Sequence, residues 1–194
     1  MTQFNALLLD IEGTITSISF VKDELFPYAF ENVGNYLDEH YDEPATQIIL
    51  EDIRRVAQQQ AESDVSVVLY PDVLPILQTL ADRKIPIYIY SSGSVHAQKL
   101  LFANSVEGDI TKILHGYFDT NVGLKGESES YKKISEQIGV EPQDILFLTD
   151  VTAEAEAARK AGFQTRLVIR EGNAGLTKEA KETFGTIEML DEIL

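Results

Sequence analysis

Two carboxylates separated by one residue, Asp10 and Glu12, directly follow an apolar run in the stretch LLLDIEGTIT. A carboxylate can attack phosphorus and carry the phosphoryl group as an aspartyl-phosphate. A second acid two residues later lies on the same side of an extended chain, so Glu12 could protonate the leaving oxygen and then activate water. The competing interpretation of this stretch alone is a buried strand that ends in a solvated acidic turn.

Further polar residues could complete such a site. The hydroxyls of Ser91 and Ser92 follow a second apolar run, Asp150 follows a third with Glu154 one helical turn later, and Lys125 precedes the helix before that third run. Hydroxyls and main-chain amides at a helix N-terminus bind phosphate oxygens, and carboxylates gathered at one edge favour a hard cation such as Mg²⁺. Each residue alone has an ordinary role in a turn, a cap or the surface. Together, in this order, they indicate phosphoryl transfer.

The elements that must position these residues are short apolar strands that alternate with amphipathic helices. The predicted strands span 6–9, 85–90, 145–148 and 166–169, and the predicted helices span 73–83, 127–138 and 153–161, with a further helix around 97–102. Continuous apolar strands indicate a parallel sheet covered on both faces, and the alternation predicts an α/β doubly wound fold. Ligands of such folds bind at the carboxyl ends of the strands, where all the candidate residues fall.

The segment 18–65 interrupts this alternation. It contains helical patterns at 21–37 and 46–61 and no convincing strand. We therefore predict a small helical cap inserted after the first strand. The predicted catalytic core consists of residues 1–17 and 66–194, and the cap of residues 18–65.

The composition excludes several classes of function. The formal net charge of −16 argues against nucleic-acid binding, and the absence of cysteine excludes disulfides and thiol chemistry. No apolar stretch is long enough to span a bilayer, and the first residues lack the features of a signal peptide. We therefore expect a cytoplasmic protein without a membrane partner. Nothing in the sequence indicates an obligate assembly, so a monomer is expected.

In this order the residues resemble the haloacid dehalogenase superfamily of phosphatases. Its signature is an Asp-x-Asp-Gly-Thr-type loop, a Ser or Thr closing the next core strand, a lysine and an acidic metal-binding pair. Here Glu12 stands where most of the superfamily has aspartate. This departure, with the stretches DIEGT, YSSGSVHAQKLLF, ESESYKKI, LFLTDVTAEAEAA and GNAGLT, resembles the enolase-phosphatase branch of methionine salvage.

The resemblance implies a magnesium enzyme that enolises and then dephosphorylates a small phosphorylated diketo substrate, 2,3-diketo-5-methylthiopentyl-1-phosphate, to an acireductone. It implies that Asp10 is the nucleophile and that Asp10, Glu12 and Asp150 bind Mg²⁺, with Glu12 using its main-chain carbonyl. Ser91, Ser92 and Lys125 match the substrate-binding positions.

Two alternatives remain at this point. Members of that branch usually carry a longer cap with a tryptophan, whereas this chain has no tryptophan and passes quickly from Gln60 to Tyr70. A phosphatase of other small phosphomonoesters, lacking the enolase step, is therefore one alternative. The other is a phosphoryl-accepting signalling domain. The DxEGT loop follows the first strand and carries its own candidate acid–base. This arrangement favours hydrolysis of the phosphorylated intermediate over a domain that keeps its phosphoryl group.

Overall fold

The computed structural model describes residues 3–25, 27–28, 46 and 67–194. Most of the predicted cap, including most of the helical patterns at 21–37 and 46–61, lies outside the described residues. Of that segment, the structure describes a π-helical turn, Phe20–Leu25, whose Phe20, Val21 and Leu25 are buried. The division into core and cap stays a prediction.

The core is built on a six-stranded parallel sheet with the order β3-β2-β1-β4-β5-β6. The strands are β1 (Ala6–Leu9), β2 (Ile87–Tyr90), β3 (Gly116–Phe118), β4 (Ile145–Thr149), β5 (Gln164–Val168) and β6 (Thr186–Ile187). The chain proceeds outwards from β1 to β3 and then crosses to β4 and proceeds outwards on the other side. The strand order therefore reverses between β1 and β4, which is where ligands bind in doubly wound sheets.

The central strand β1 is buried on both faces, as its unbroken apolar run predicts. Leu7 and Leu9 point into one apolar layer, whereas Ala6 and Leu8 point into the layer on the opposite face. All four residues have no exposed surface. This two-residue period is that of an extended chain. The prediction of a parallel sheet covered on both faces is thus confirmed.

Helices cover both faces of the sheet. They are α1 (Val73–Asp82), α2 (Val95–Ala103), α3 (Ser128–Ile138), α4 (Thr152–Lys160) and α5 (Lys178–Phe184). Leu77 of α1 and Phe102 of α2 belong to the layer of Leu7 and Leu9. Tyr131 of α3 and Ala158 of α4 belong to the opposite layer. α5 lies against β5.

The strands and helices predicted outside residues 18–65 are present, with corrections at their ends. The second strand begins at Ile87 rather than at residue 85, since Pro86 has no N–H for the ladder, although its carbonyl accepts the amide of Leu7. β5 spans Gln164–Val168 rather than 166–169. Gly139, with a left-handed φ of 68°, ends α3 as predicted. The short strands β3 and β6 and helix α5 were not predicted.

Within the described ranges, no helix combines the length and the apolarity needed to cross a membrane.

Candidate active site

Asp10 extends the central strand by one residue. Its amide donates to the carbonyl of Leu148 on β4 at 3.0 Å, so the ladder continues to the point where the chain turns. The carbonyl of Ile11 then accepts the amides of Thr14, Ile15 and Thr16, which closes a compact turn. The side chain of Asp10 is held at the carboxyl edge of the sheet, 7% exposed.

Lys125 is the cation that faces Asp10. Its Nζ lies 2.5 Å from Oδ1 of Asp10 and 2.8 Å from Oε2 of Glu154, and it donates to Asp10 Oδ1. The other oxygen of Asp10, Oδ2, accepts the hydroxyl of Thr14 at 3.2 Å. The main chain at Lys125 is also held in position, because the hydroxyl of Tyr131 on α3 donates to the carbonyl of Lys125 at 2.7 Å. Lys125 is thus a mostly buried residue held by ion pairs and hydrogen bonds, rather than a solvated surface side chain.

The charge of Lys125 is stabilised by its two carboxylate partners. Burial alone would lower the pKa of its ammonium, but the charges and hydrogen bonds of Asp10 and Glu154 raise that pKa well above its usual range. Lys125 is therefore a permanent cation at any physiological pH. Glu154 also accepts the hydroxyl of Thr149 at 2.8 Å, which joins the end of β4 to the first turn of α4.

Gly13 allows Asp150 to approach the turn after β1. The φ angle of Gly13 is +72°, and a Cβ at this position would lie 2.6 Å from Oδ2 of Asp150 and 2.9 Å from Oδ1 of Asn173. Asn173 donates from Nδ2 to the carbonyl of Gly13 at 2.9 Å, whereas its buried Oδ1 has no hydrogen-bond partner among the residues that the structure describes. Any side chain at position 13 would displace these groups, since contacts below 3 Å are too short for carbon.

The carboxylates of the site exceed its positive charge. Burial and the charges of Asp10 and Glu154 raise the pKa of Asp150 to about 7. Loss of hydration, and then the charge of Asp10, raise the pKa of Glu12 above its usual value although part of this side chain is exposed. The pKa of Glu154 is raised by burial and by Asp10 in the same way. An additional cation would relieve this repulsion.

The turn after β2 brings Ser91 and Ser92 to the neighbouring strand end. The amide of Ser91 donates to the carbonyl of Phe118, its hydroxyl accepts the amide of Gly93, and Ser92 is exposed. The buried side chain of Gln98 donates to the carbonyl of Gly93 at 2.7 Å and holds the turn from behind.

The N-terminus of α2 differs from the expectation that its amides bind phosphate. The amide of Val95 donates to Asp119, and that of Ala97 donates to the N-cap hydroxyl of Ser94. Two of the amides at this helix N-terminus are therefore occupied, and the phosphate contacts expected of Ser91 and Ser92, in the turn before the helix, stay a prediction.

The predicted residues lie at one edge of the sheet, but they differ in how closely they approach Asp10. Asp10, Lys125 and Glu154 are in direct contact. Glu12 and Asp150 lie within electrostatic range of this cluster. Ser91 and Ser92 follow the strand next to β1. Their contacts with a substrate or metal stay predictions.

A buried ion pair beside the site was missed by the sequence analysis. Nη2 of Arg170 lies 2.8 Å from Oδ2 of Asp72, and both side chains are almost fully buried. Arg170 also donates to the carbonyls of Thr14 and Glu188, while Asp72 accepts the amide of Leu190. The two residues are separated by 98 positions, so no local spacing could reveal the pair.

Comparison with known proteins decides the family. Residues 4–162 match the haloacid dehalogenase-like hydrolases. The chain belongs to this family. It is 62% identical to Enolase-phosphatase E1 of Caenorhabditis elegans, with 99% of this chain and 98% of the relative aligned. It is 40% identical to Enolase-phosphatase E1 of Xenopus tropicalis, over 96% of this chain and 93% of the relative. Within the hydrolases, the chain therefore belongs to the enolase-phosphatase E1 family, and the resemblance seen in the sequence is confirmed.

Solved structures support the same assignment of the fold. The crystal structure of the UTR4 protein from Saccharomyces cerevisiae superposes with a TM-score of 0.77 at 29% identity, covering 98% of this chain and 100% of that chain. A crystal structure of a dehalogenase superposes with a TM-score of 0.66 at 16% identity, covering 100% and 96% of the two chains. The second likeness concerns the fold alone.

This chain is shorter than its nematode relative within the aligned span. The alignment with the C. elegans protein extends over 242 positions, whereas this chain has 194 residues, so the span exceeds the chain by at least 48 positions. Almost all of both proteins is covered, and the difference is therefore internal. It agrees with the expectation of a shortened chain. The assignment of the missing stretch to the cap stays a prediction.

Proposed function

We propose that this chain is a magnesium-dependent enolase-phosphatase of methionine salvage. In this proposal it converts 2,3-diketo-5-methylthiopentyl-1-phosphate into the acireductone 1,2-dihydroxy-3-keto-5-methylthiopentene and phosphate. The names of its relatives support this substrate class.

The observation that carries the phosphatase half is the environment of Asp10. Its carboxylate contacts a permanent cation at 2.5 Å and a hydroxyl at 3.2 Å, at the point where the strand order reverses. The cation lowers the repulsion that an anionic nucleophile meets on approaching a phosphate ester. Glu12, whose raised pKa favours retention of a proton, lies two residues away.

The oxygen-rich cluster fits a magnesium ion, which prefers carboxylate and carbonyl oxygens. Among the described residues, no group of three or more His, Cys, Asp or Glu side chains is arranged to hold a metal. The proposed ligand set does not require one, because it consists of the carboxylates of Asp10 and Asp150 and the main-chain carbonyl of Glu12. Two observations support this set. The absence of a side chain at Gly13 lets Asp150 approach the turn after β1, and the pKa of Asp150 is raised.

When bound, Mg²⁺ would neutralise the phosphoryl oxygens and the carboxylates around them. The chain's own residues then act in two steps. A carboxylate oxygen of Asp10 forms a bond to phosphorus while the ester P–O bond breaks, and Glu12 gives its proton to the leaving oxygen. Glu12 next accepts a proton from a water molecule that attacks phosphorus, which releases phosphate and restores Asp10. Lys125, Ser91 and Ser92 bind the phosphoryl oxygens.

A second candidate function is hydrolysis of other small phosphomonoesters without the enolase step. The observation that favours it is the internal difference in length from the relatives, if the missing stretch belongs to the cap. The phosphatase residues described above all lie in the core and would be unaffected.

The two candidates are separated by following two signals in one reaction. The protein is incubated with the diketo phosphate and Mg²⁺, and the appearance of the enol and the release of phosphate are recorded independently. A transient enol that precedes phosphate is expected for the enolase-phosphatase. Phosphate without an enol would favour the second candidate, and neither signal would reject both.

We also propose that the enzyme acts in the cytoplasm as a monomer on a small phosphorylated molecule. The absence of cysteine and the strongly negative charge support a reducing compartment and a site that does not bind nucleic acid. Elution at the mass of one chain in size-exclusion chromatography with light scattering is expected.

A further inference from the structure

Tyr70 lies beside the candidate active site and carries a buried hydroxyl for which the described residues provide no hydrogen-bond partner. Its amide donates to the carbonyl of Ile15 at 3.0 Å, in the turn that follows Asp10. The preceding residue, Leu69, forms a β-bridge with Thr16 of the same turn. The hydroxyl oxygen of Tyr70 is buried and makes no hydrogen bond within the part of the chain that the structure describes.

The ring of Tyr70 packs against Arg170, which restricts its rotation and keeps the hydroxyl away from solvent. The guanidinium of Arg170 stacks on the ring with its carbon 4.3 Å from the centroid. Arg170 is itself fixed by Asp72 and by the carbonyl of Thr14. A buried hydroxyl without a partner is unfavourable, and phenylalanine would fill the same space without that penalty.

The charges around Tyr70 make its hydroxyl a hydrogen-bond donor. Burial raises the pKa of this phenol, the cation of Arg170 opposes the shift, and the carboxylates of Asp150, Glu171 and Asp72 add to it. The hydroxyl therefore keeps its proton. The contacts of Tyr70 with Ile15, and of Arg170 with Thr14, place both residues against the turn that follows Asp10.

We propose that the hydroxyl of Tyr70 donates a hydrogen bond to an oxygen of the bound phosphorylated substrate. Tyr70 is then a further substrate-binding residue, and its missing partner arrives with the substrate. The inference rests on the proposed function, because it requires a phosphorylated ligand next to Asp10 and Asp150. The acceptor is either a phosphoryl oxygen or an oxygen on the carbon skeleton, and both present the same chemistry to the phenol.

The test compares Tyr70→Phe with Tyr117→Phe. Tyr117 is a matched control, since its hydroxyl is also buried and has no partner in the described ranges, but Tyr117 lies on the edge strand β3. Three quantities are measured for each variant and the unmodified enzyme. They are the melting temperature without ligands, kcat/KM for the diketo phosphate with Mg²⁺, and the inhibition constant of inorganic phosphate.

We expect Tyr70→Phe to melt at the same temperature as the unmodified protein or higher, while its kcat/KM falls by about threefold to tenfold, the effect of one lost hydrogen bond. Tyr117→Phe is expected to keep its kcat/KM. If the acceptor is a phosphoryl oxygen, the inhibition constant of phosphate rises by a similar factor in Tyr70→Phe. If the acceptor lies on the carbon skeleton, that constant is unchanged.

An unaltered kcat/KM in Tyr70→Phe would overturn the inference. A melting temperature several degrees lower would overturn it as well, because the hydroxyl would then have a partner inside the folded protein. Failure of the proposed function gives a different result, since the unmodified enzyme itself would form no enol from the diketo phosphate. In that case the same comparison is made with p-nitrophenyl phosphate, and equal kcat/KM values would reject the role of Tyr70.

Discussion

Two clusters of buried charge lie at the same edge of the sheet, and they differ in balance. In the first, Arg170 and Asp72 form a one-to-one pair whose remaining hydrogen-bonding groups contact main-chain atoms. In the second, Lys125 is shared by Asp10 and Glu154, and further carboxylates lie nearby. A balanced cluster stabilises the fold, whereas an unbalanced one retains the capacity to bind a cation and an anionic ligand.

The pKa directions express the same difference. Burial would raise the pKa of Asp72, but its hydrogen bonds to Arg170 and to the amide of Leu190 lower it below the usual value. The pKa of Asp150 is raised to about 7 by burial and by its acidic neighbours. Perturbed carboxyl groups of the second kind are typical of functional sites. The comparison predicts that substitutions in the first cluster change stability and those in the second change activity.

The largest effect is expected for Asp10→Asn. An amide cannot attack phosphorus, so phosphate release should fall by at least about 1000-fold, which corresponds to about 4 kcal/mol in the barrier. The melting temperature should change little, because the substitution also relieves repulsion among the carboxylates. Steady-state phosphate release measures the first effect and thermal unfolding the second. Asp82→Asn, at an exposed position, is the control. Undiminished turnover in Asp10→Asn would remove Asp10 from the role of nucleophile.

The next largest effect is expected for Asp72→Ala. It leaves the buried guanidinium of Arg170 without its anion, which typically destabilises a protein by about 3–5 kcal/mol. Urea unfolding measures the change, and Asp82→Ala, at the exposed end of the helix that Asp72 precedes, should stay within about 0.5 kcal/mol of the unmodified protein. If Asp72→Ala retained full stability, the Arg170–Asp72 cluster would have no structural role and the contrast between the clusters would fail.

A smaller loss of activity is expected for Glu12→Gln. Without a proton to give or accept, turnover should fall by about 100-fold, within the range of general acid–base catalysis. Hydrolysis of the intermediate should slow as well, so that phosphorylated protein accumulates in rapid-quench experiments with labelled substrate. Glu12→Asp keeps an acid and should restore part of the rate. Normal formation and decay of the intermediate in Glu12→Gln would require a different acid–base group.

The smallest effect is a pH dependence of stability in the absence of Mg²⁺. The folded protein binds a proton at Asp150 with a pKa of about 7, against 3.8 for an unperturbed aspartate, so its stability should rise as the pH falls from 7 towards 4. Each 1 kcal/mol of stability gained would raise the melting temperature by about 2–4 °C.

Asp150→Asn isolates this contribution from the general effect of reducing the net negative charge. We expect its melting temperature to rise less on acidification than that of the unmodified protein, and Mg²⁺ at pH 7.5 to stabilise only the latter. Equal pH profiles for the two proteins would show that Asp150 is not a source of electrostatic strain.

The sequence predicted the parts of the fold that depend on local pattern. Fully buried strands such as β1 produce long apolar runs, and the residues after them could be assigned to one edge of the sheet. β3 and β6 escaped prediction because strands of three and two residues give no clear period. The pairing of Lys125 with Glu154, like that of Arg170 with Asp72, depends on how the chain folds back on itself. The hydroxyl of Tyr70 could not be singled out either, because the lack of a hydrogen-bond partner is visible only once its surroundings in the fold are known.

The space at Gly13 has a consequence for attempts to redesign substrate range. This residue contributes no side-chain group, yet Asp150 and Asn173 lie where a side chain would be. In mutational libraries that retarget the enzyme, even alanine at position 13 should therefore push the turn after β1 away from Asp150 and Asn173. Gly13 should therefore be kept unchanged in any such library.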